Sequence, residues 1–152
     1  MIFNLELSEV PDSERIFVNI LSRQPHSFGQ IKAILDTGSP TTIISYLDAL
    51  RLNVHVSSAD TGEPIAGFGK GHIPSKRIKK FTFALKSNKS QIKYLEMPVN
   101  VVDIITLRNM HQDIQSNTMR IPTIIGMDFL RASKLKLVVD LEQHKSFLEA
   151  ID

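Results

Sequence analysis

Apolar residues in this chain come in short runs, each closed by turn-forming glycine, proline, serine, asparagine or aspartate. That punctuation leaves little room for long helices and asks for many strands. Ile2, Asn4 and Glu6 alternate with Phe3, Leu5 and Leu7, the period of a strand with one buried face. Residues 15–21 are rich in Ile, Phe and Val, SRQPHSFG supplies turn chemistry, and QIKAILD follows, which predicts a hairpin ending at Asp36. RIKKFTFALK and QIKYLEMPVNVV, separated by SNKS, predict a second, longer hairpin. PTIIG reads as a buried strand and KLKLVVDLEQHKSFLEAI as a closing strand pair. Only SYLDALRL and MDFLRAS have helical spacing, both short, and residues 103–120 carry no clear pattern. The expectation is an all-β fold with one or two short helices.

At 152 residues the chain suits one domain and is too short for two full lobes. Residues 1–14 read as an N-terminal strand or extension of that domain. No apolar run approaches the roughly 18 residues of a membrane span, so no membrane partner is expected. Cysteine is absent, which removes disulfides and thiolate chemistry and makes a reduced, cytoplasmic setting the default expectation. None of the five histidines has metal-ligand spacing, so no metal and no cofactor is expected.

Charge is unevenly spread. Residues 64–95 contain eight Lys and Arg and no Asp or Glu, leaving ten basic and sixteen acidic residues elsewhere. Such a strip is compatible with an anionic partner. The preferred reading is lysines guarding strand edges, since no aromatic interleaving accompanies them and no nucleic-acid partner is expected.

Four of the seven glycines, Gly62, Gly67, Gly69 and Gly71, fall in GEPIAGFGKGHIP, which reads as the tip of a mobile hairpin. GFGKGH lacks the spacing of a phosphate loop or a dinucleotide fingerprint. Two further glycines mark other motifs. Ala33-Ile34-Leu35-Asp36-Thr37-Gly38-Ser39 places a carboxylate directly after an apolar strand and before small hydrogen-bonding residues. Ile124-Ile125-Gly126 leads into the short helix MDFLRAS.

In that order these three motifs resemble the catalytic loop, the flap and the hydrophobic-hydrophobic-Gly motif of retropepsin-like aspartic proteases. IIGMDFL followed by LKLVVDLEQHKSFLE is similar to small single-lobe prokaryotic members. The resemblance implies a closed β-barrel acid-protease lobe with a flap hairpin. Asp36 would be catalytic, with Thr37, Gly38 and Ser39 supporting the loop and Ile124, Ile125 and Gly126 backing it. Gly67, Phe68, Gly69, Lys70 and Gly71 would close over a peptide or protein substrate. Ser39 would hydrogen-bond the Asp36 carboxylate, and the pH optimum would be mildly acidic. Retroviral members carry an Arg–Asp ion pair at positions occupied here by Met127 and Pro40, so both partners are missing together.

The chemistry of such an enzyme needs two carboxylates sharing a proton across one water. The sequence has two Asp-Thr-Gly runs, Asp36-Thr37-Gly38 and Asp60-Thr61-Gly62, and only the first follows an apolar strand and stands in the order of motifs above. The resemblance therefore implies a homodimer in which Asp36 of each chain meets at the axis. A different class remains beside it, a dimeric binding or scaffold module with this fold and no proteolysis. A third reading is a monomeric barrel in which the Asp-Thr-Gly is incidental.

Overall fold

The structure is a computed structural model that describes residues 1–8, 14–24, 27–54, 56, 59–66, 72–103 and 121–151. Among them lie eleven strands and two helices: β1 Ile2–Asn4, β2 Glu6–Leu7, β3 Ile16–Gln24, β4 Ser27–Leu35, β5 Ile43–Ile44, α1 Tyr46–Arg51, β6 Asp60–Thr61, β7 Ser75–Lys86, β8 Ile92–Val102, β9 Ile124–Ile125, α2 Met127–Ser133, β10 Leu135–Asp140 and β11 Lys145–Ala150. The all-β expectation holds, with both short helices where the spacing put them.

Eight strands form one sheet in the order β2-β3-β4-β9-β5-β8-β7-β6, and β3 also pairs with β7. That pairing, Leu21 to Ala84 and Ser22 to Phe83, closes six of the strands into a barrel. The barrel is filled by inward residues of successive strands, among them Val18, Ile20, Ile31, Ala33, Phe81, Phe83, Val99 and Val101. Phe83 stacks on Phe81 with ring centres 4.8 Å apart and meets the edge of Phe129 of α2 at 5.7 Å. Each such aromatic pair adds roughly 0.5–1.5 kcal/mol beyond its burial.

The strand hairpins are longer than the turn chemistry suggests. β3 runs on to Gln24 and β4 restarts at Ser27, paired in register throughout. In the β7–β8 ladder the register slips between Ile78 and Phe81. Pro98 lies at that slip on β8; it has no N–H to give the ladder, and the partner strand accommodates the gap with a bulge.

The N-terminal alternation is split between two sheets rather than forming one strand. β1 pairs with β11, while β2 pairs with β3. The crossing occurs at Leu5, whose N–H donates to the Ser146 carbonyl. Glu6 accepts from Asn19 and pairs with Lys32 at 2.8 Å, and these contacts, Lys32 first, lower its carboxyl below the usual range. Lys32 lies outside the acid-free strip. Along β7, one side pairs with β8, and the other pairs with β6 at Lys76 and Arg77 and with β3 at Phe83 and Ala84, leaving Lys79 and Lys80 between those two contacts.

α1 is pinned by a small polar cluster. Ser45 caps it, accepting from Asp48 N–H at 3.1 Å. Thr123, just before β9, accepts from Ser45 N–H and donates to the Asp48 carboxylate at 2.6 Å. Arg51 in the last turn donates to Asp48 and to the Gln30 carbonyl, tying the helix to β4. Outside the barrel, β1, β11 and β10 make a separate three-stranded sheet. No helix among the described residues is long and apolar enough to cross a membrane.

Candidate active site

Asp36 follows directly on β4, and two features of the barrel set its position. β4 runs parallel to β9, pairing Ile34 with Ile124 and Leu35 with Ile125. The ladder then continues one residue further, Asp36 N–H donating to the Ile125 carbonyl at 3.0 Å. The chain turns at once: Ser39 N–H donates to the Asp36 carbonyl, and Gly38 N–H donates to Asp36 Oδ1 at 2.8 Å. The carboxylate is exposed and, among the described residues, makes no other hydrogen bond.

The Ile-Ile-Gly motif stands directly behind this loop. Ile124 and Ile125 are buried, and a Cβ added at Gly126 would lie 2.6 Å from the Thr41 carbonyl oxygen and 2.8 Å from that of Ser39. Those are backbone atoms that no rotamer change can move, so only glycine lets the two segments touch. The first turn of α2 then reaches across. Met127 N–H donates to the Ser39 carbonyl at 2.8 Å and Asp128 N–H to that of Pro40 at 3.3 Å. Asp128 accepts from Thr42 N–H at 3.0 Å and from Thr42 Oγ1 at 2.7 Å, while Thr42 Oγ1 also accepts from Gly126 N–H. Asp128 and Thr42 thus fasten the first turn of α2 to the segment that follows the Asp36 loop. Met127 and Pro40 contribute backbone atoms only, and no charge is stranded.

The structure brings Asp36, Thr37, Gly38 and Ser39 into one loop with Ile124, Ile125 and Gly126 behind it. Gly67, Phe68, Gly69, Lys70 and Gly71 lie outside the described residues. The residues on either side are described: Gly62 N–H donates to the Ser75 carbonyl, and Ile65 and Ile73 exchange both backbone hydrogen bonds. Ser39 departs from expectation. Its hydroxyl donates to the Thr41 carbonyl, two residues on, at 2.8 Å and not to Asp36. Its one hydrogen stiffens the loop instead of tuning the carboxylate.

A cleft of about 550 Å³ opens beside Asp36, lined by Glu14, Arg15, Ile16, Ile34, Leu35, Thr37, Pro122 and Ile124. Most of its lining residues are apolar, and Glu14, Arg15 and Asp36 carry its charge. Sequence reasoning missed Arg15 and Glu14, although the β3–β4 register foretells them: Ile16 pairs with Leu35, so Arg15 comes level with Asp36. It also passed over Asp128, whose place in the first turn of a helix is where an acidic side chain finds free N–H groups. His72 and His144 are exposed. No group of three or more His, Asp or Glu residues that could hold a metal ion occurs among the described residues.

No protein-family model matches the chain. A search of curated proteins gives no match either. Solved structures do match. A retropepsin-like aspartic protease from Rickettsia conorii superposes with a TM-score of 0.59 at 14% identity, over 99% of this chain and 89% of that one. EIAV protease, in complex with the inhibitor HBY-793, gives 0.52 at 19% identity over 87% of this chain and all of that one. The retroviral protease-like domain of Ddi1 from Leishmania major gives 0.50 at 17%, over 89% and 88%. At these identities the likeness establishes the fold.

Proposed function

Proceeding from a retropepsin-like fold in which the Asp36 loop is backed by Ile124-Ile125-Gly126, while Asp60 and Thr61 of the second Asp-Thr-Gly lie in strand β6 against β7, we propose that this protein is an aspartic endopeptidase active as a homodimer. The observation that carries the reading is the exposed Asp36 carboxylate, held by a loop that Ile125, Gly126 and α2 immobilise, at the mouth of an apolar cleft. Rigid placement of a reacting group is what such catalysis requires.

The second carboxylate comes from the partner copy. Two such groups about 3 Å apart share one proton. The ionised Asp36 takes a proton from water as its oxygen bonds to the scissile carbonyl carbon. The protonated Asp36 gives its proton to the carbonyl oxygen, forming a neutral tetrahedral diol. The carbon–nitrogen bond then breaks as a proton passes to nitrogen and the carbonyl re-forms. Thr37, exposed beside Asp36, hydrogen-bonds across the dimer and Gly38 leaves room for the substrate backbone. The hairpin tip at residues 67–71 closes over an extended peptide, with Phe68 covering it. Ile16, Ile34, Pro122 and Ile124 favour apolar residues flanking the cut.

Digestion of a peptide library between pH 4 and 7 by wild type and Asp36→Asn tests this. Wild type cuts with a bell-shaped profile peaking below pH 7, because activity is lost when the pair holds no proton or two. Asp36→Asn does not cut. Equal cutting by both sinks the proposal, and cutting by neither leaves the dimeric binding module in its place.

A further inference from the structure

The barrel closes over a short seam. β3 and β7 pair at Leu21 with Ala84 and at Ser22 with Phe83, and a cleft opens on each side of that joint. One, of about 330 Å³, has Asn19, Leu21, Ala84 and Lys86 in its lining. The other, of about 390 Å³, lies among Arg23, Gln24, Thr82 and Tyr94. Alternation puts Asn19, Leu21 and Arg23 on the outer face of the sheet, since Val18, Ile20 and Ser22 are buried inside the barrel. Apolar side chains stand around the clefts on that face. Phe28, opposite Arg23 on β4, is 70% exposed, and Ile92 and Tyr94 of β8, opposite Lys86 and Ala84, are about half exposed. Apolar side chains gathered at a cleft and rimmed by charge are what a docking surface presents.

The charge of that rim is positive. Residues 19–23, 28–32, 82–86 and 92–96, the strand stretches that carry this face, hold four basic residues and one acid, Glu96. Lys32 is paired with Glu6, but Arg23, Lys86 and Lys93 are in no ion pair among the described residues. Arg23 is also held in place. It donates to the Tyr94 hydroxyl at 2.6 Å, and its guanidinium sits 5.1 Å over the Tyr94 ring. Its remaining N–H groups have no acceptor among the described residues and are free to meet a carboxylate.

We propose that this face docks an extended acidic segment of a partner protein, with one carboxylate at Arg23, an apolar side chain over Leu21 and a second carboxylate at Lys86. The β3–β7 register brings Lys86 level with Asn19, four residues along the strand from Arg23. An extended chain covers those four residues in about 13 Å, and its alternate side chains face the same way. Acid, apolar and acid at every second position therefore match the two clefts and the joint between them. Nucleic acid suits the face less well: Arg23 occupies the Tyr94 ring where a base would stack, and Glu96 adds a negative charge beside it. The docking surface goes beyond the endopeptidase reading and stands without it.

A dye-labelled peptide with Glu-Ser-Leu-Ser-Glu at its centre, titrated by fluorescence anisotropy into the Asp36→Asn protein, tests this. Adding Arg23→Glu or Lys86→Glu should weaken binding about tenfold each. A peptide with Lys at both Glu positions should bind the double variant as tightly as the first peptide binds the unaltered face. The Lys86 side chain makes no hydrogen bond among the described residues, so Lys86→Glu changes charge without breaking a contact. Lys145→Glu, the same charge change on β11, should leave binding within about twofold. No binding, an equal loss with Lys145→Glu, or no restoration by the Lys peptide overturns the proposal. So does a single-stranded oligonucleotide that binds tighter than the peptide and is lost in Arg23→Glu, which would give the face to nucleic acid. A sedimentation mass that falls in Arg23→Glu, with no peptide bound, would give it to a second copy. Binding is read without the reacting carboxylate, so the two readings fail separately. A chain that cleaves but does not dock sinks this proposal alone, and one that docks but does not cleave sinks only the endopeptidase.

Discussion

A methyl group at Gly126 would press on two carbonyl oxygens of the Asp36 loop at 2.6 and 2.8 Å, so Gly126→Ala must push the loop and α2 apart. The expected cost is about 2–4 kcal/mol of stability, read from denaturant melts, with cleavage lost even where the fold survives. Thr42→Val is the complementary test, since it keeps the shape and removes one hydroxyl. That hydroxyl donates to Asp128 and accepts from Gly126 N–H, and its loss leaves a carboxylate short of a partner. About 2 kcal/mol should go. The exposed Asp36 contributes to neither figure. Asp36→Asn should therefore leave the melting temperature within a degree or two while abolishing cleavage, separating the residue that reacts from those that hold it.

At the scale of elements, α2 is the hinge between barrel and site. Phe129 is fully buried against Phe83, while the turn before it grips the loop. Phe129→Ala should cost about 3–5 kcal/mol and release the loop along with the core, so stability and cleavage fall together. How legible such features were depended on range. The β3–β4 and β7–β8 hairpins and both helices follow from local alternation, turn residues and spacing, and the structure places them accordingly. The N-terminal strand did not: nothing in IFNLEL says that its first half pairs with β11 and its second with β3, since both partners present similar apolar faces. Asp36 and its backing motif were legible because each is a compact run of residue types. The role of Asp128 was not, because it depends on Thr42, eighty-six positions away. The bond from Ser39 to Thr41 escaped because the choice of a serine hydroxyl between two nearby acceptors is set by loop geometry and not by residue type.

For the whole molecule, the proposed endopeptidase reading makes activity a property of pairs, since each chain brings one Asp36. Diluting the enzyme below its dissociation constant should lower activity per chain, whereas a self-sufficient monomer would be indifferent. Mixing wild type with an equal amount of Asp36→Asn should leave about a quarter of the dimers with two carboxylates. Cleavage should fall to match if exchange is complete, which activity assays after overnight mixing would reveal. Measured against the same total amount of wild-type chain, activity should fall to about a quarter, whereas a fall to only half would point to independent chains.

The loop that carries Asp36 is closed by atoms from Ile125, Gly126, Met127 and Asp128, roughly ninety positions later in the chain. During synthesis the reactive carboxylate thus emerges long before anything that can hold it. A ribosome that stalls after the barrel hairpins β3–β4 and β7–β8 has made the Asp36 loop and none of the segment that fastens it. On the proposed reading, the order of translation withholds the assembled site until the chain is nearly finished.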